Sequence, residues 1–257
     1  MVGRMNTIQA IFNNAELQLK QAGIESARID SEVLLAYILN CERPYLLIHS
    51  EQQINSDQMA EFLKLVQVRK EHQPVAYLTG HKEFMGLDFL VTPEVLIPRP
   101  ETEILVETTL QIVSKLKKRN LRILDIGTGS GNIAISLAKH LELAEVVALD
   151  ISENAIAVAK QNAILHQVND RIRFIKSDLF NNISETENRF EIIVSNPPYI
   201  PEPEFEQLSL DIREYEPHQA LNGGNDGLDI IRRIIQESPK CLTQQGYLIM
   251  ELGDGQV

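Results

Sequence analysis

Apolar residues recur at helical spacing in the first third of the chain and at strand spacing after its middle. Between Thr7 and Leu19 they fall at Ile8, Ile11, Phe12, Ala15 and Leu19, one face of a helix that Gly23 closes. Asp30 reads as the N-cap of a second helix, with Val33, Leu34, Tyr37 and Ile38 on its apolar face. Pro44 suits the first turn of a short third helix. Ser56 or Asp57 reads as the cap of a fourth, which carries Met59, Phe62, Leu63, Val66 and Val68 and is ended by Pro74. Residues 1–79 are therefore expected to form a small all-α domain. Its apolar stripes are most simply its own core; a docking surface for a partner is the other reading.

The stretch from Gly80 to Val91 has two short apolar runs around Met85-Gly86, which predicts a hairpin near residues 80–92. It leads into Arg99-Pro100-Glu101-Thr102-Glu103, where Pro100 suits a first helical turn and the acids suit the positive end of the helix dipole. From Leu121 onward strands and helices alternate. The strands are Leu121–Ile126, Val146–Leu149 ending at Asp150, Ile172–Ile175, Ile192–Val194 and Gly246–Glu251. Helices run through Ile133–Ala138, through Ala155–Ala159 behind a Ser152 cap, and around Leu228–Ile235. A long loop precedes the last of these. The alternation predicts an α/β fold over residues 80–257, a doubly wound, Rossmann-like parallel sheet with right-handed crossovers.

Chemistry concentrates where these strands end. A phosphate-binding loop would need Gly-Lys-Ser/Thr after the first strand, and a dinucleotide fingerprint would want Gly or Ala where Asn132 stands. What remains is Asp125 followed by Gly127-Thr128-Gly129-Ser130-Gly131, a turn that brings backbone close to a ligand and aims N–H groups at a carboxylate. Asp150, roughly 20 residues past the turn, is placed to accept the hydroxyls of a ribose. Asp178 ends the third strand and could reach an adenine amino group, with Leu179 and Phe180 against the ring. Each acid alone reads as a helix cap; together, after three successive strands, they point to a nucleoside-type cofactor. S-adenosyl-L-methionine offers a carboxylate to the turn and an ammonium to Asp125. NAD is the competing reading, weakened by Asn132.

After the fourth strand comes Ser195-Asn196-Pro197-Pro198-Tyr199-Ile200. Two prolines cannot pair in a sheet, so they stop the strand and stiffen the backbone at its carboxyl end. One reading is a Pro-rich turn. The other is a grip on a planar amide or amine: the Asn196 oxygen and the Pro197 carbonyl accept both N–H bonds of a substrate NH₂, and Tyr199 holds the planar group. Pro198 completes the rigid corner.

Composition narrows the partners. Across 257 residues, 44% hydrophobic and 23% charged is an ordinary soluble composition. A formal net charge of −12 argues against a nucleic-acid substrate, for which a basic footprint is usual. No run approaches the ~18 apolar residues of a membrane helix, and the N-terminus lacks a signal-peptide core. The two cysteines, Cys41 and Cys241, lie outside any ligand spacing, and the six histidines show no metal spacing. A cytoplasmic, reduced chain with no metal and no membrane partner is expected.

The Asp-Ile-Gly-Thr-Gly-Ser-Gly run and the Asn-Pro-Pro-Tyr turn resemble the class I amino-methyltransferases, which include DNA adenine and protein glutamine enzymes. Arg99-Pro100-Glu101-Thr102-Glu103, Tyr215-Glu216-Pro217 with Ala220-Leu221, and Gly223-Gly224-Asn225-Asp226-Gly227-Leu228 narrow the resemblance. With the helical N-terminal domain, they resemble the HemK-type peptide-chain-release-factor glutamine methyltransferases along nearly the whole chain. The resemblance implies N5-methylation of the glutamine in the Gly-Gly-Gln loop of class 1 release factors, with S-adenosyl-L-methionine as cofactor. A monomer is expected. The resemblance also implies that Gly127 to Gly131, Asp150, Leu179 or its neighbour, and Asn196 contact the cofactor. It further implies that Asn196 to Tyr199 hold the glutamine, that the Arg99–Glu103 segment lines the site, and that the helical domain helps dock the release factor. Members of this family continue past Glu251-Leu252-Gly253 into a helix and a final strand pair, so a chain stopping at Val257 is expected to leave a sheet edge exposed. The rival readings are a ribosomal-protein glutamine methyltransferase, which shares the Asn-Pro-Pro-Tyr turn, a DNA adenine methyltransferase, and a binding protein on a methyltransferase fold that has lost activity.

Overall fold

A computed structural model describes residues 6–116, 118–183 and 189–256. The chain divides into two units, one of residues 1–80 with 210–215 and one of residues 81–209 with 216–257.

In the first unit, helices α1 (Ile8–Gln21), α2 (Ala27–Leu39), α3 (Arg43–Ile48), α4 (Ser56–Arg69) and α5 (Val75–Thr79) enclose a core of Ile11, Phe12, Leu19, Leu34, Leu35 and Phe62. Asn55, not Ser56 or Asp57, caps α4, in a reciprocal capping box with Gln58. Asp30 is not a cap either. Helix α2 begins three residues earlier, and the Asp30 carboxylate turns inward to accept from Arg69 Nε at 2.7 Å and Ser26 Oγ at 2.8 Å. Tyr37 and Leu63, expected on apolar faces, are exposed: apolar residues from Val33 to Ile38 cover more than one face of α2, and on α4 the adjacent Phe62 takes the core position.

The unit also takes in a short helix, α9 (Leu210–Tyr215), from the stretch that the sequence pattern left as a loop. Asp211 meets Arg69 Nη1 at 2.8 Å and His72 Nδ1 at 3.2 Å, and Tyr215 donates to the Glu71 carbonyl at 2.7 Å. Buried Arg69 thus stands between two carboxylates, Asp30 and Asp211.

The second unit opens with the hairpin β1 (His81–Phe84) and β2 (Leu87–Leu90). Its two turn residues, Met85 and Gly86, both have positive φ, 54° and 70°, the backbone that matches strand twist in a two-residue hairpin. Helix α6 (Pro100–Lys115) starts at Pro100 as the sequence predicts, with Glu101 and Glu103 in its first turn. Among the described residues β3 (Arg122–Ile126), β4 (Glu145–Asp150), β5 (Ile172–Lys176), β6 (Phe190–Ser195) and β7 (Leu242–Met250) form one parallel sheet, ordered β5-β4-β3-β6-β7. Helices α7 (Asn132–His140), α8 (Glu153–Leu165) and α10 (Asp229–Cys241) connect or follow them. The interior strands bury nearly every side chain, as a sheet covered on both faces requires.

The chain runs outward from β3 to β4 and β5, then returns to place β6 on the other flank of β3. That reversal opens a crevice beyond the carboxyl ends of β3 and β6, the usual ligand position in such sheets. Among the described residues β5 and β7 are the outer strands of that sheet. No helix among the described residues is long and apolar enough to cross a membrane.

Arg69→Ala leaves two inward-facing carboxylates without their shared cation and is expected to cost about 3–5 kcal/mol. Urea unfolding of the full chain, followed by far-ultraviolet circular dichroism, checks this, and Asp211→Asn should cost clearly less.

Candidate active site

The glycine turn grows directly out of β3. Gly127 and Thr128 donate to the Leu149 carbonyl at 2.9 and 2.8 Å, and Gly129 donates to Asp150 Oδ2 at 2.8 Å. The turn is thereby tied to the end of β4. Gly131 is needed on two counts: φ is +83°, and a Cβ there would lie 2.9 Å from Ile135 Cδ1 and 3.2 Å from Ala159 Cβ. Asn162, fully buried on α8, donates to the Ser130 and Leu90 carbonyls at 2.9 Å each and accepts from Leu90 N–H at 2.8 Å. It fastens the turn to strand β2. The sequence reading passed over it; its signal was an amide on the otherwise apolar buried face of α8.

Asp125 lies wholly buried beneath the turn. Its Oδ2 accepts from the Thr128 hydroxyl at 2.7 Å, whereas Oδ1 has no hydrogen-bond partner among the described residues. Burial pushes the carboxyl up to about 7, the Thr128 hydroxyl pulls it down, and the neighbouring Asp150 charge adds to the rise. An orphaned buried oxygen of this kind fits a ligand that brings a cation. Burial also raises Asp150, while the Ser152, Gly129 and Ile151 amides lower it. Oδ1 and Oδ2 of Asp150 already accept from Ser152 and Gly129 N–H groups, and each oxygen keeps a second lone pair for a hydroxyl donor.

Beyond β5, Asp178 Oδ2 accepts from Arg233 Nη2 at 3.0 Å, so this acid is already in an ion pair. Leu179 holds a left-handed backbone, φ 48°, with its carbonyl taking the Ser177 hydroxyl at 2.7 Å. A non-glycine residue seldom adopts that conformation, and such positions cluster where ligands bind. Phe180, expected against a bound ring, packs instead in the core with Leu124, Leu149 and Ile193, because the turn at Leu179 directs it under the sheet.

The Asn-Pro-Pro-Tyr corner lies beside the glycine turn. Ile126 and Ser195 are register partners, the Ser195 hydroxyl donates to the Ile126 carbonyl at 2.7 Å, and the Asn196 carbonyl is 3.9 Å from where a Gly127 Cβ would be. Pro197 is buried. Asn196 Nδ2 donates to Thr102 Oγ1 at 3.0 Å, Thr102 donates to Glu251 Oε2 at 2.7 Å, and the Tyr199 hydroxyl donates to Glu251 Oε1 at 3.2 Å. Burial first, then the Glu251 charge, pushes Tyr199 up to about 12, so it stays a neutral phenol.

The corner is backed by the glycine-rich stretch after it. Ile200 exchanges hydrogen bonds with Leu221 and Gly223 at 3.0 Å, and Gln256 Nε2 donates to the Tyr199 carbonyl at 2.9 Å. A Cβ at Gly227 would sit 2.3 Å from the Tyr199 carbonyl, and one at Gly223 2.5 Å from the Gly227 carbonyl, so neither position has room for one. Arg99 pairs with the buried Glu216 carboxylate, which also accepts from Ile97 N–H at 3.2 Å. The hairpin tip is held by Glu103, which accepts from Met85 N–H at 2.6 Å. The Arg99–Glu103 segment therefore meets the corner through Thr102 and serves structure through Arg99 and Glu103. The sequence reading placed Thr102 in the site-lining segment and Glu216 in a motif without giving either a role of its own, and it gave none to Glu251, which had the same signal as Asp150, an acid where a strand ends.

Residues 117–255 match the family described as a methyltransferase domain, and residues 10–80 match the one described as the PrmC N-terminal domain. Fold and crevice thus define an S-adenosylmethionine-dependent methyltransferase. A release factor glutamine methyltransferase of Geobacter sulfurreducens is 42% identical over 97% of this chain and 85% of its own. Those of Koribacter versatilis and Clostridium acetobutylicum are 40% and 41% identical, over 96% and 91% of this chain and 86% and 82% of theirs. The chain belongs to the release factor glutamine methyltransferase family.

Asp125 titrates near 7 when folded, against 3.8 for a free carboxyl, so between these values the folded chain binds the extra proton. Its contribution to stability is therefore greatest at the acid end and declines as the pH rises through that window. Asp125→Asn should remove the decline. Urea midpoints of both chains between about pH 4 and about pH 8 should converge at low pH and separate, in favour of the variant, as the pH rises.

Proposed function

We propose that this chain transfers a methyl group from S-adenosyl-L-methionine to the side-chain amide nitrogen, N5, of the glutamine in the Gly-Gly-Gln loop of class 1 peptide chain release factors. The observation that carries the reading is the adjacency of the glycine turn and the Asn-Pro-Pro-Tyr corner on neighbouring strands, with Asn196 held so that its oxygen remains an acceptor.

Gly127, Thr128, Gly129, Ser130 and Gly131 would hold the cofactor's carboxylate, and Asp125 its ammonium. Asp150 would hold the ribose hydroxyls, and Asp178 with Leu179 the adenine. When bound, the cofactor supplies an electrophilic methyl carbon on a sulfonium. An amide nitrogen is a poor nucleophile because its lone pair is delocalised into the carbonyl. Asn196 Oδ1 and the Pro197 carbonyl accept its two N–H bonds, orient it, and favour the positive charge that develops on it. Pro198 keeps the corner rigid, and Tyr199 packs against the planar group as a neutral ring. No general base is needed before attack, and the surplus proton leaves afterwards. The helical unit is assigned to docking the release factor.

Mass spectrometry of a release factor incubated with enzyme and cofactor should show one added methyl mass on the loop glutamine, with plasmid DNA and ribosomal protein unmodified. Methyl on either of the latter alone would overturn the assignment. Asn196→Ala should keep cofactor affinity within about threefold by calorimetry while transfer falls by about 10²–10³-fold.

A further inference from the structure

An asparagine amide can be held either way round, and only one way leaves an oxygen for a substrate N–H. At Asn196 the choice is made by hydrogen-bond polarity two residues away. A carboxylate at Glu251 accepts and cannot donate. The Thr102 hydroxyl has one hydrogen and gives it to Glu251 Oε2 at 2.7 Å. Thr102 Oγ1 can then only accept from Asn196, at 3.0 Å, so the Asn196 NH₂ must face it. The reversed amide would set oxygen against oxygen. Glu251 is itself fixed from its other side, since Oε1 accepts the Tyr199 hydroxyl at 3.2 Å. Thr102 is 2% exposed, so water does not compete for its hydroxyl.

We infer that Thr102 and Glu251 are positioning residues that lock the Asn196 carboxamide with its oxygen towards the acceptor. This deepens the proposed function and rests on it. The relay also explains a choice of substrate. A glutamine side chain offers two N–H donors to the Asn196 and Pro197 oxygens, whereas a glutamate carboxylate would face them acceptor to acceptor. The relay thus sets amide over acid at the site as well as the amide's orientation.

The test is a set of isosteric variants in the full chain. Thr102→Val keeps shape and removes the hydroxyl, and it should lower kcat by about 10²-fold while KM for the release factor stays within about threefold. Thr102→Ser restores the hydroxyl and should return kcat to within about threefold of the parent. Thermal melting confirms that each variant is folded. A serine variant as poor as the valine variant, or a valine variant as fast as the parent, overturns the inference. With asparagine side chains ¹⁵N-labelled, the Asn196 amide protons of the free chain should exchange faster with solvent in Thr102→Val and also in Glu251→Ala, whose side chain is one residue removed from Asn196. Unchanged exchange in Glu251→Ala overturns the relay. Failure of the parent chain to methylate a release factor would instead defeat the reading beneath it, while the exchange measurements still decide the orientation.

Discussion

Where β3 and β6 run out side by side, Ser195 reaches across the last pair of residues to the Ile126 carbonyl. The glycine turn and the Asn-Pro-Pro-Tyr corner both start within a few residues of that bond. On one side the chain turns through three glycines with positive φ, its Gly127, Thr128 and Gly129 N–H groups bonded to the end of β4; on the other it is halted by two prolines. A one-residue slip of the parallel register would carry Asn196 away from the glycine turn and invert the faces of β6. The buried, β-branched character of β6 guards against that slip, because its side chains are almost entirely enclosed on both faces.

Carboxylates under and around the crevice divide into two kinds. Glu216 and Glu103 are supplied with donors by their own chain, Glu216 by Arg99 and Ile97 and Glu103 by Met85, and they hold loops in place. Asp125 is left short, with an orphaned oxygen, and Asp150 has a backbone amide on each oxygen; burial pushes both upward. Burying a carboxyl without a full set of partners is costly, and a cationic or hydroxyl-bearing ligand relieves that cost.

Most of the second unit's architecture was legible in the sequence, because β3 to β6 are short apolar runs between turn residues and α6 and α8 carry start signals at Pro100 and Ser152; β7 begins at Leu242, earlier than the expected Gly246, because Gln244 and Gln245 carry no strand pattern. Gly127 to Gly131 and the Asn-Pro-Pro-Tyr corner stood out for the same reason: their backbone demands can be met by few residue types. What stayed hidden were long-range polar pairings. Asp30 looks like a cap until Arg69 is known to lie beside it, and Thr102 is an ordinary first-turn threonine until Glu251 arrives from the far end of the chain. Helix α9 is six residues with no apolar periodicity, and it is held by Arg69, His72 and the Glu71 carbonyl rather than by an apolar stripe. Composition and spacing do not encode such partners.

The glycine-rich segment behind Tyr199 leaves no room for a side chain at either Gly223 or Gly227. The support behind Tyr199 is thus bare peptide pressed against bare peptide. A mutation at either glycine would therefore displace the backbone of the corner itself, so this stretch is open to drift only where it faces away from Tyr199.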